Sequence, residues 1–504
     1  MTSVPILTSA SGGLPLLTLL QLLPLVGALT LLGIRRELPA VTFATVVSLA
    51  ELGLGIVLYL TLDQTSPALQ FTEHWTLGPM LNYHVGVDGM AVLFILLTAL
   101  LSLLVVVYTP VRRLQPAAHF LAVALACEAT LMSLFTTLDL LWFTVLGGAE
   151  LWLIGYLMGR WAISPAEEQA LDRYYQFMGT SLALLLGGAL LLGWNHAATH
   201  AGAWSFDLIA LSGDQLGSAL ATLVFFLLFY GLAIRTPLFP LHGWLPLVAE
   251  HGTVAVAPVF LLGLKVGVYG LLRFVFPLVP QAVERWSPYV IAFAVAGIFY
   301  AALLALMQTN LRRLLAYAVV SHTSVLVIGL FSLGTSAFQG AVMLSINFGM
   351  AIAGLLFMTG CVYSRMRTTQ LDKLGGLFDR LPMIGLAFFI AGLSIVGMPG
   401  TPGFDAVHLM LEAAIDRFGA LVTIAAALGN VAAAAFLLWA FQRAFLAPRT
   451  AEGPATIPPG TWPERVIAGV VILVLLGVGF YSEPWLALTD APMAALSHRF
   501  GLGH

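Results

Sequence analysis

Apolar runs long enough to cross a bilayer follow one another along almost the whole chain, and a segment of about 20 such residues is what a membrane-spanning helix requires. They fall near residues 14–32, 41–62, 90–108, 117–137, 139–159, 172–194, 217–250, 255–277, 289–307, 311–333, 337–364, 382–416, 419–445 and 464–485. With 60% hydrophobic and 9% charged residues, the chain stands far from an average soluble domain, about a quarter of which is charged. The expected fold is an all-α integral membrane protein of about fourteen transmembrane helices. The first run lacks a basic leading segment and is followed by Arg35 and Arg36, so it reads as a retained span.

The basic residues orient these spans. Loops after odd-numbered spans hold most of the lysines and arginines, whereas the opposite side holds only Arg273, Arg285, Arg417 and Arg499. The positive-inside rule then places both termini on the outer side of a cytoplasmic membrane, the inner one where two exist.

Two spans are interrupted. The seventh, 217–250, breaks at Pro237, Pro240 and Gly243, and the twelfth, 382–416, breaks at Pro399, Gly400, Pro402 and Gly403. Broken helices are tolerated at membrane depth only where the freed backbone faces protein or a water-filled cavity. The breaks lie five spans apart, so a five-helix unit, 117–277, is expected to recur inverted as 289–445. Inverted repeats with paired discontinuous helices are transporter architecture. Residues 1–116 supply three preceding spans and 446–504 one final span. The outer loops 63–89 and 195–216 are too short to house a soluble catalytic domain, so no catalytic site is expected in this chain.

Ionisable residues inside the spans single out the candidate site. Lys265 lies eleven residues into its span, about 15 Å from either surface, too deep to snorkel. A cation at that depth costs about 2.5–3.5 kcal/mol and marks function by default. Arg235 sits just before the first break; arginine keeps its proton, so it suits steering or capping better than relay. Glu150, in the fifth span, is the natural partner of Lys265 or Arg235. Glu128 in the fourth span and Glu51 in the second are further buried acids. His322, flanked by Ser321, Thr323 and Ser324, suits proton hopping. His242 and Trp244 stand beside the first break, where a stabilising role fits them. Asp405, His408 and Glu412 follow the second break and are expected to close one half of a path, Asp405 and Glu412 sharing a helix face. Together these residues outline a proton-conducting route.

Other chemistry is excluded by what is missing. There is no C-x-x-C pair, no G-x-G-x-x-G turn and no Walker-type loop. Cys127 and Cys361 both lie in apolar runs and read as buried small hydrophobes. Neither a cofactor nor a metal site is expected, nor nucleic acid or a soluble small-molecule substrate. Nucleotide, flavin or iron–sulfur chemistry falls to partner subunits, and lipid surrounds the rest.

Six blocks in fixed order, YHVGVDGM, PLFPLHGWLP, AVAPVFLLGLKVGVYGLLRF, NLRRLLAYAVVSHTSVLVIGL, LGGLFDRLP and GMPGTPGF, make the chain resemble the antiporter-like membrane subunits of respiratory complex I and their Mrp-type relatives, most of all the M-type subunit. The resemblance runs from about residue 80 to 445. It implies inverted repeats with a proton half-channel in each. The family's central lysine falls on Lys265 and its tenth-span histidine on His322. Other family positions differ: a fifth-span glutamate falls on Val145, a seventh-span lysine on Arg235, an eleventh-span histidine on Phe348 and a twelfth-span glutamate near Val407. Two functions are thereby implied. One is proton translocation within a complex I-like NADH-quinone oxidoreductase assembly. The other is coupling of an ion gradient to a non-redox partner, as in inorganic carbon uptake or Mrp-type cation/proton antiport, which the substitutions at 145 and 235 favour.

Overall fold

The computed structural model describes residues 8–10, 15–76, 78, 82–161, 166–252, 265–448 and 457–501. After a short strand, β1 (Thr8–Ala10), come α1 (Leu16–Leu31) and α2 (Glu37–Thr61). A hairpin of β2 (Leu69–Thr76) and β3 (Asn82–Val87) leads into α3 (Gly89–Arg112), α4 (Ala117–Thr136), α5 (Leu140–Trp161), α6 (Glu167–Thr199), a one-turn α7 (Leu208–Ser212) and α8 (Ser218–Arg235). Beyond the first break lie α9 (Leu245–Leu247), α10 (265–270) and α11 (Phe276–Leu278), the last two joined by a π-helical turn at Leu271–Val275. Then follow α12 (Pro280–Leu306), α13 (Leu311–Leu330), α14 (Thr335–Met366), α15 (Pro382–Val396), α16 (Pro402–Phe418), α17 (Ala420–Phe441), α18 (Trp462–Phe480) and α19 (Glu483–His498). Among the described residues, eleven helices are long and apolar enough to cross a membrane, and Leu16–Leu31 and Pro382–Val396 are shorter apolar helices. The first half of the span expected at 255–277, with the AVAPVFLLGL block, lies outside the described residues.

At the centre stand α13 and α14. Both are buried on nearly every side, as expected of a helix apolar all round, and α14 packs against α3, α13, α15, α16, α18 and α19. The two helices carry His322 and Phe348.

Each break is held by side chains that satisfy its freed carbonyls. At the first, the helix stops at Arg235 and residues 236–244 run irregularly past Pro237 and Pro240. There the Trp244 indole donates to the carbonyl of Ile234 at 3.1 Å and Ser181 donates to that of Gly231 at 2.6 Å. His242 is buried among Phe239, Tyr300 and Tyr317. At the second, α15 ends at Gly397, whose φ of 80° suits a residue without Cβ. The chain turns through Pro399 and Gly400 and restarts at Pro402. Asn347 of α14 donates to the Ser394 carbonyl at 3.0 Å and accepts from its hydroxyl, so the opened backbone faces protein.

Three expectations are corrected. The fold is not wholly helical, because the outer loop at 63–89 folds into the antiparallel β2–β3 pair, with Trp75 stacked on Tyr83 at 5.1 Å. Along β2 burial falls from Leu69 and Gln70 to the exposed His74, Trp75 and Thr76, so the strand runs from the helices out to the surface. The C-terminal section holds two helices, since Ser482 and Pro484 restart the chain as α19. Arg273, expected in an outer loop, is buried.

Its partner explains the YHVGVDGM block. Asp88 caps α3 by accepting from the Ala91 amide at 3.0 Å and grips both terminal nitrogens of Arg273 at 2.9 and 2.7 Å. A Cβ on the next residue, Gly89, collides with the Leu488 backbone of α19, so only glycine lets that helix dock. Removing one partner of a buried ion pair costs about 3–5 kcal/mol. Asp88→Ala is therefore expected to lower the thermal denaturation midpoint of the solubilised protein sharply, while Asp63→Ala in the neighbouring exposed loop leaves it unchanged; equal midpoints for the two variants sink this account.

Candidate functional site

The first cluster lies where α5, α6 and α8 meet. Arg235 Nη1 donates to Glu150 Oε2 at 2.7 Å, Nη2 to the Gly147 carbonyl at 2.9 Å and Nε to Ser181 Oγ at 3.3 Å. Both charged side chains are buried. A Cβ at Gly147 would come within 2.7 Å of Nη2, so glycine there makes room for the guanidinium. Position 145 faces outward, with Val145 half exposed. Five residues turn a helix by about 140°, which is why residue 150 reaches inward and residue 145 does not. The buried carboxylate of α5 in this cluster is that of Glu150.

The second cluster lies between α10, α13 and α14. Lys265 is 7% exposed, and its Nζ sits over the Phe348 ring, 4.7 Å from the centroid. On Phe348 stacks the imidazole of His322, with centroids 4.7 Å apart and planes within 20°. Ammonium and imidazole thus both rest against the same ring. Lys265 has no ion-pair partner among the described residues. The cation–π contact, worth about 2 kcal/mol when desolvated, takes that place. Gly349 lets the lysine lie close, since a Cβ there would be 2.9 Å from Lys265 Cε. His322 Nε2 is buried without a hydrogen-bond partner among the described residues. Its hydroxyl neighbours are turned to backbone instead, Ser321 to Ile298, Thr323 to Val319 and Ser324 to Val320.

Close helix contact joins the two clusters. At Gly267, two residues from Lys265, an added Cβ would stand 2.9 Å from the Leu232 carbonyl and 3.0 Å from the Thr236 amide. The helix bearing Lys265 thus rests on the break that follows Arg235. The cavity beside that break, about 390 Å³, is apolar, lined by Ile234, Leu238, Pro240 and Phe293 with Ser324 as a polar edge.

Glu128 was expected on the same line, and the structure turns it away. Cys127, one residue earlier and about 100° round α4, faces Glu150, whereas Glu128 faces Ser102 of α3 and interacts with Glu51 of α2. Both glutamates are fully buried. The two carboxyl oxygens of Glu51 and the hydroxyl of Ser48 lack hydrogen-bond partners among the described residues. Asp405, His408 and Glu412 also differ from expectation. They lie on the outward side of α16, Asp405 half-buried and the other two exposed, while Val407 points inward. The inner side of that helix is taken by its packing on α14, so these polar groups do not line the interior.

One titratable group went unnoticed in the sequence. Asp139, just ahead of α5, has its carboxyl pushed up to about 6, chiefly by burial and further by the neighbouring Asp207. His84 of β3 pairs with Asp207. The cluster sits about 16 Å along α5 from Glu150. Only the hairpin brings His84 there, so no local sequence signal marks it.

The family model described as NADH:quinone oxidoreductase/Mrp antiporter, transmembrane, matches residues 139–433. NADH-quinone oxidoreductase subunit M of Rhodobacter capsulatus is 29% identical over 510 residues, covering 96% of each chain. Its counterpart in Pseudomonas aeruginosa is 30% identical over 444 residues, covering 86% of each. Among solved structures, a chain of respiratory complex I from Thermus thermophilus superposes with a TM-score of 0.83 at 29% identity, covering 95% of this chain and 99% of that one. A chain of the Mrp complex from Dietzia sp. DQ12-45-1b gives 0.84 at 20% identity, covering 97% and 100%, and is similar in fold.

Proposed function

The chain belongs to the NADH:quinone oxidoreductase/Mrp antiporter transmembrane family, and we propose that it serves as the proton-translocating, antiporter-like M-type subunit of a complex I-like membrane assembly. The observation that carries this reading is the set of ionisable groups buried within the helices: the Glu150–Arg235 pair, then Lys265 and His322, both against the Phe348 ring. Charges that deep are costly and are kept where they move or steer other charges. Redox chemistry is assigned to partner subunits, whose energy reaches this chain as a change in the electrostatics around Glu150 and Arg235.

In the proposed route Lys265 is the carrier, because an amine can release its proton while Arg235 keeps its own. Phe348 holds the ammonium on its face but offers no atom that accepts a proton. Both groups rest on the ring, so its position governs how closely Lys265 and His322 approach, and in this proposal Phe348 acts as the gate. Glu51 and Glu128 form a separate protonatable pair off this line. The polar face of α16, with Asp405, His408 and Glu412, fits a neighbouring subunit better than lipid, which is consistent with a multi-subunit assembly.

The finer architecture is part of the same proposal. The eleven long helices, the two shorter apolar ones and the segment holding Lys265 make fourteen spans, arranged as 1–116, the repeat 117–277, its inverted copy 289–445 and 446–504. Both termini lie on the outer side of the cytoplasmic membrane, with the arginine-rich loops inside.

Copurification tests the assignment. From native membranes the chain is expected to come down with iron–sulfur and quinone-reducing subunits, and the reconstituted assembly to acidify vesicles during quinone reduction. A stable partner that is a non-redox protein, with no such subunits, replaces this reading with the second one, an ion-gradient-coupling membrane partner. The fixed charge at Arg235 and the Phe348 ring are what favour that alternative.

A further inference from the structure

At the end of α6, His196 and His200 stand one turn apart with their rings stacked, centroids 4.1 Å apart and planes within 14°. Asp214, in the loop between α7 and α8, meets both. Its Oδ2 lies 2.8 Å from His196 Nδ1 and its Oδ1 3.7 Å from His200 Nδ1. That carboxylate is 4% exposed, and no lysine or arginine pairs with it among the described residues. A buried carboxylate requires a compensating cation.

The donor atoms suit a different cation. One ligand atom from each residue lies within 4.8 Å of the others, whereas tetrahedral zinc, about 2.0–2.1 Å from each ligand, wants them roughly 3.4 Å apart. Rotation of His200 closes the difference, since its side chain is 52% exposed. In binding, its Nδ1 gives up contacts to the His196 carbonyl at 3.1 Å and Thr199 Oγ1 at 3.0 Å. The same exposure leaves a fourth position to water. Two imidazoles and one carboxylate are a ligand set for zinc-class ions rather than for magnesium or calcium.

We propose that His196, His200 and Asp214 form a binding site for one divalent transition-metal ion of the zinc class. Bound there, the ion ties the end of α6 to the start of α8. Those helices meet again at the far end of α8, where Ser181, midway along α6, touches Arg235. A metal clamp at one end therefore restrains the pair that positions the buried guanidinium. In the proposed topology the site follows the sixth span and faces outward, so external zinc is expected to slow proton translocation. This second step rests on the proposed function, whereas the site itself does not.

The test is a zinc titration of the purified, chelator-stripped assembly against a chromophoric competitor, alongside pumping in proteoliposomes with zinc added outside. One high-affinity equivalent is expected, weakened roughly 10- to 100-fold, the range that loss of even a supporting group costs a metal site, in His200→Ala and in Asp214→Asn. X-ray absorption at the zinc edge should show nitrogen and oxygen ligands. The exposed His200→Ala variant keeps the test valid if Asp214→Asn folds poorly. Identical titrations for wild type and His200→Ala overturn the site and leave a histidine–aspartate pair only. Zinc bound as expected but without effect on pumping supports the site and overturns the clamp.

Discussion

Lys265→Ala in the reconstituted assembly is expected to bring proton translocation to background, a loss of about 100-fold or more given what a positioned proton-transfer group contributes, while electron transfer in the partner subunits continues. Lys265→Arg is expected to fail as completely, because it keeps the charge and the cation–π seat on Phe348 but cannot release its proton. That pair of variants separates a carrier from a fixed counter-charge, since a merely structural cation survives as arginine. Phe348 supplies the complementary test. Phe348→His places a second imidazole against both Lys265 and His322 and is expected to retain or raise coupled pumping. Phe348→Leu removes the aromatic seat and is expected to lower it. Proton-to-electron ratios from pH-sensitive dye in proteoliposomes measure all four. Wild-type ratios from Lys265→Ala end the proposal, and wild-type ratios from both Phe348 variants remove the gate.

The parts of this site that the sequence reveals are those written in local chemistry. Proline and glycine interrupt an apolar run wherever they occur, so the breaks after Arg235 and Val396 are visible without coordinates. Lysine and histidine in hydrocarbon are conspicuous for the same reason. What stayed hidden is direction. Whether Glu128 or Cys127 faces Glu150 depends on how α4 is rotated against α3 and α5, and a uniformly apolar helix carries no amphipathic stripe to report it. The outward turn of Asp405, His408 and Glu412 is similar, because their placement follows from which side of α16 meets α14. Long-range pairs were hidden too. Asp88 and Arg273 are 185 residues apart, and only the packing of α3 against the end of the Lys265 segment makes one the partner of the other. The β2–β3 hairpin stays hidden because a short, largely polar stretch between two strong helical signals reads as connecting loop.

Breaking the Glu150–Arg235 pair from either side should destabilise the assembly more than removing both members. Glu150→Ala leaves a guanidinium that is 4% exposed, still bound to Gly147 and Ser181 but without a counter-charge. Such a loss costs about 3–5 kcal/mol, enough to deplete the protein from membranes. The double variant Glu150→Ala, Arg235→Met replaces the pair by apolar groups and is expected to recover most of that loss, since buried pairs are often exchanged for hydrophobic residues at little net cost. Stability, read from thermal aggregation of the solubilised assembly, and pumping then part company. The double variant should fold and assemble yet fail to translocate protons, because the charge that partner subunits act upon is gone. A double variant that is as unstable as Glu150→Ala would mean that the hydrogen bonds to Gly147 and Ser181, rather than the ion pair, hold α5, α6 and α8 together. One that pumps normally would remove the pair from the route and leave Lys265 and His322 to be reached from elsewhere.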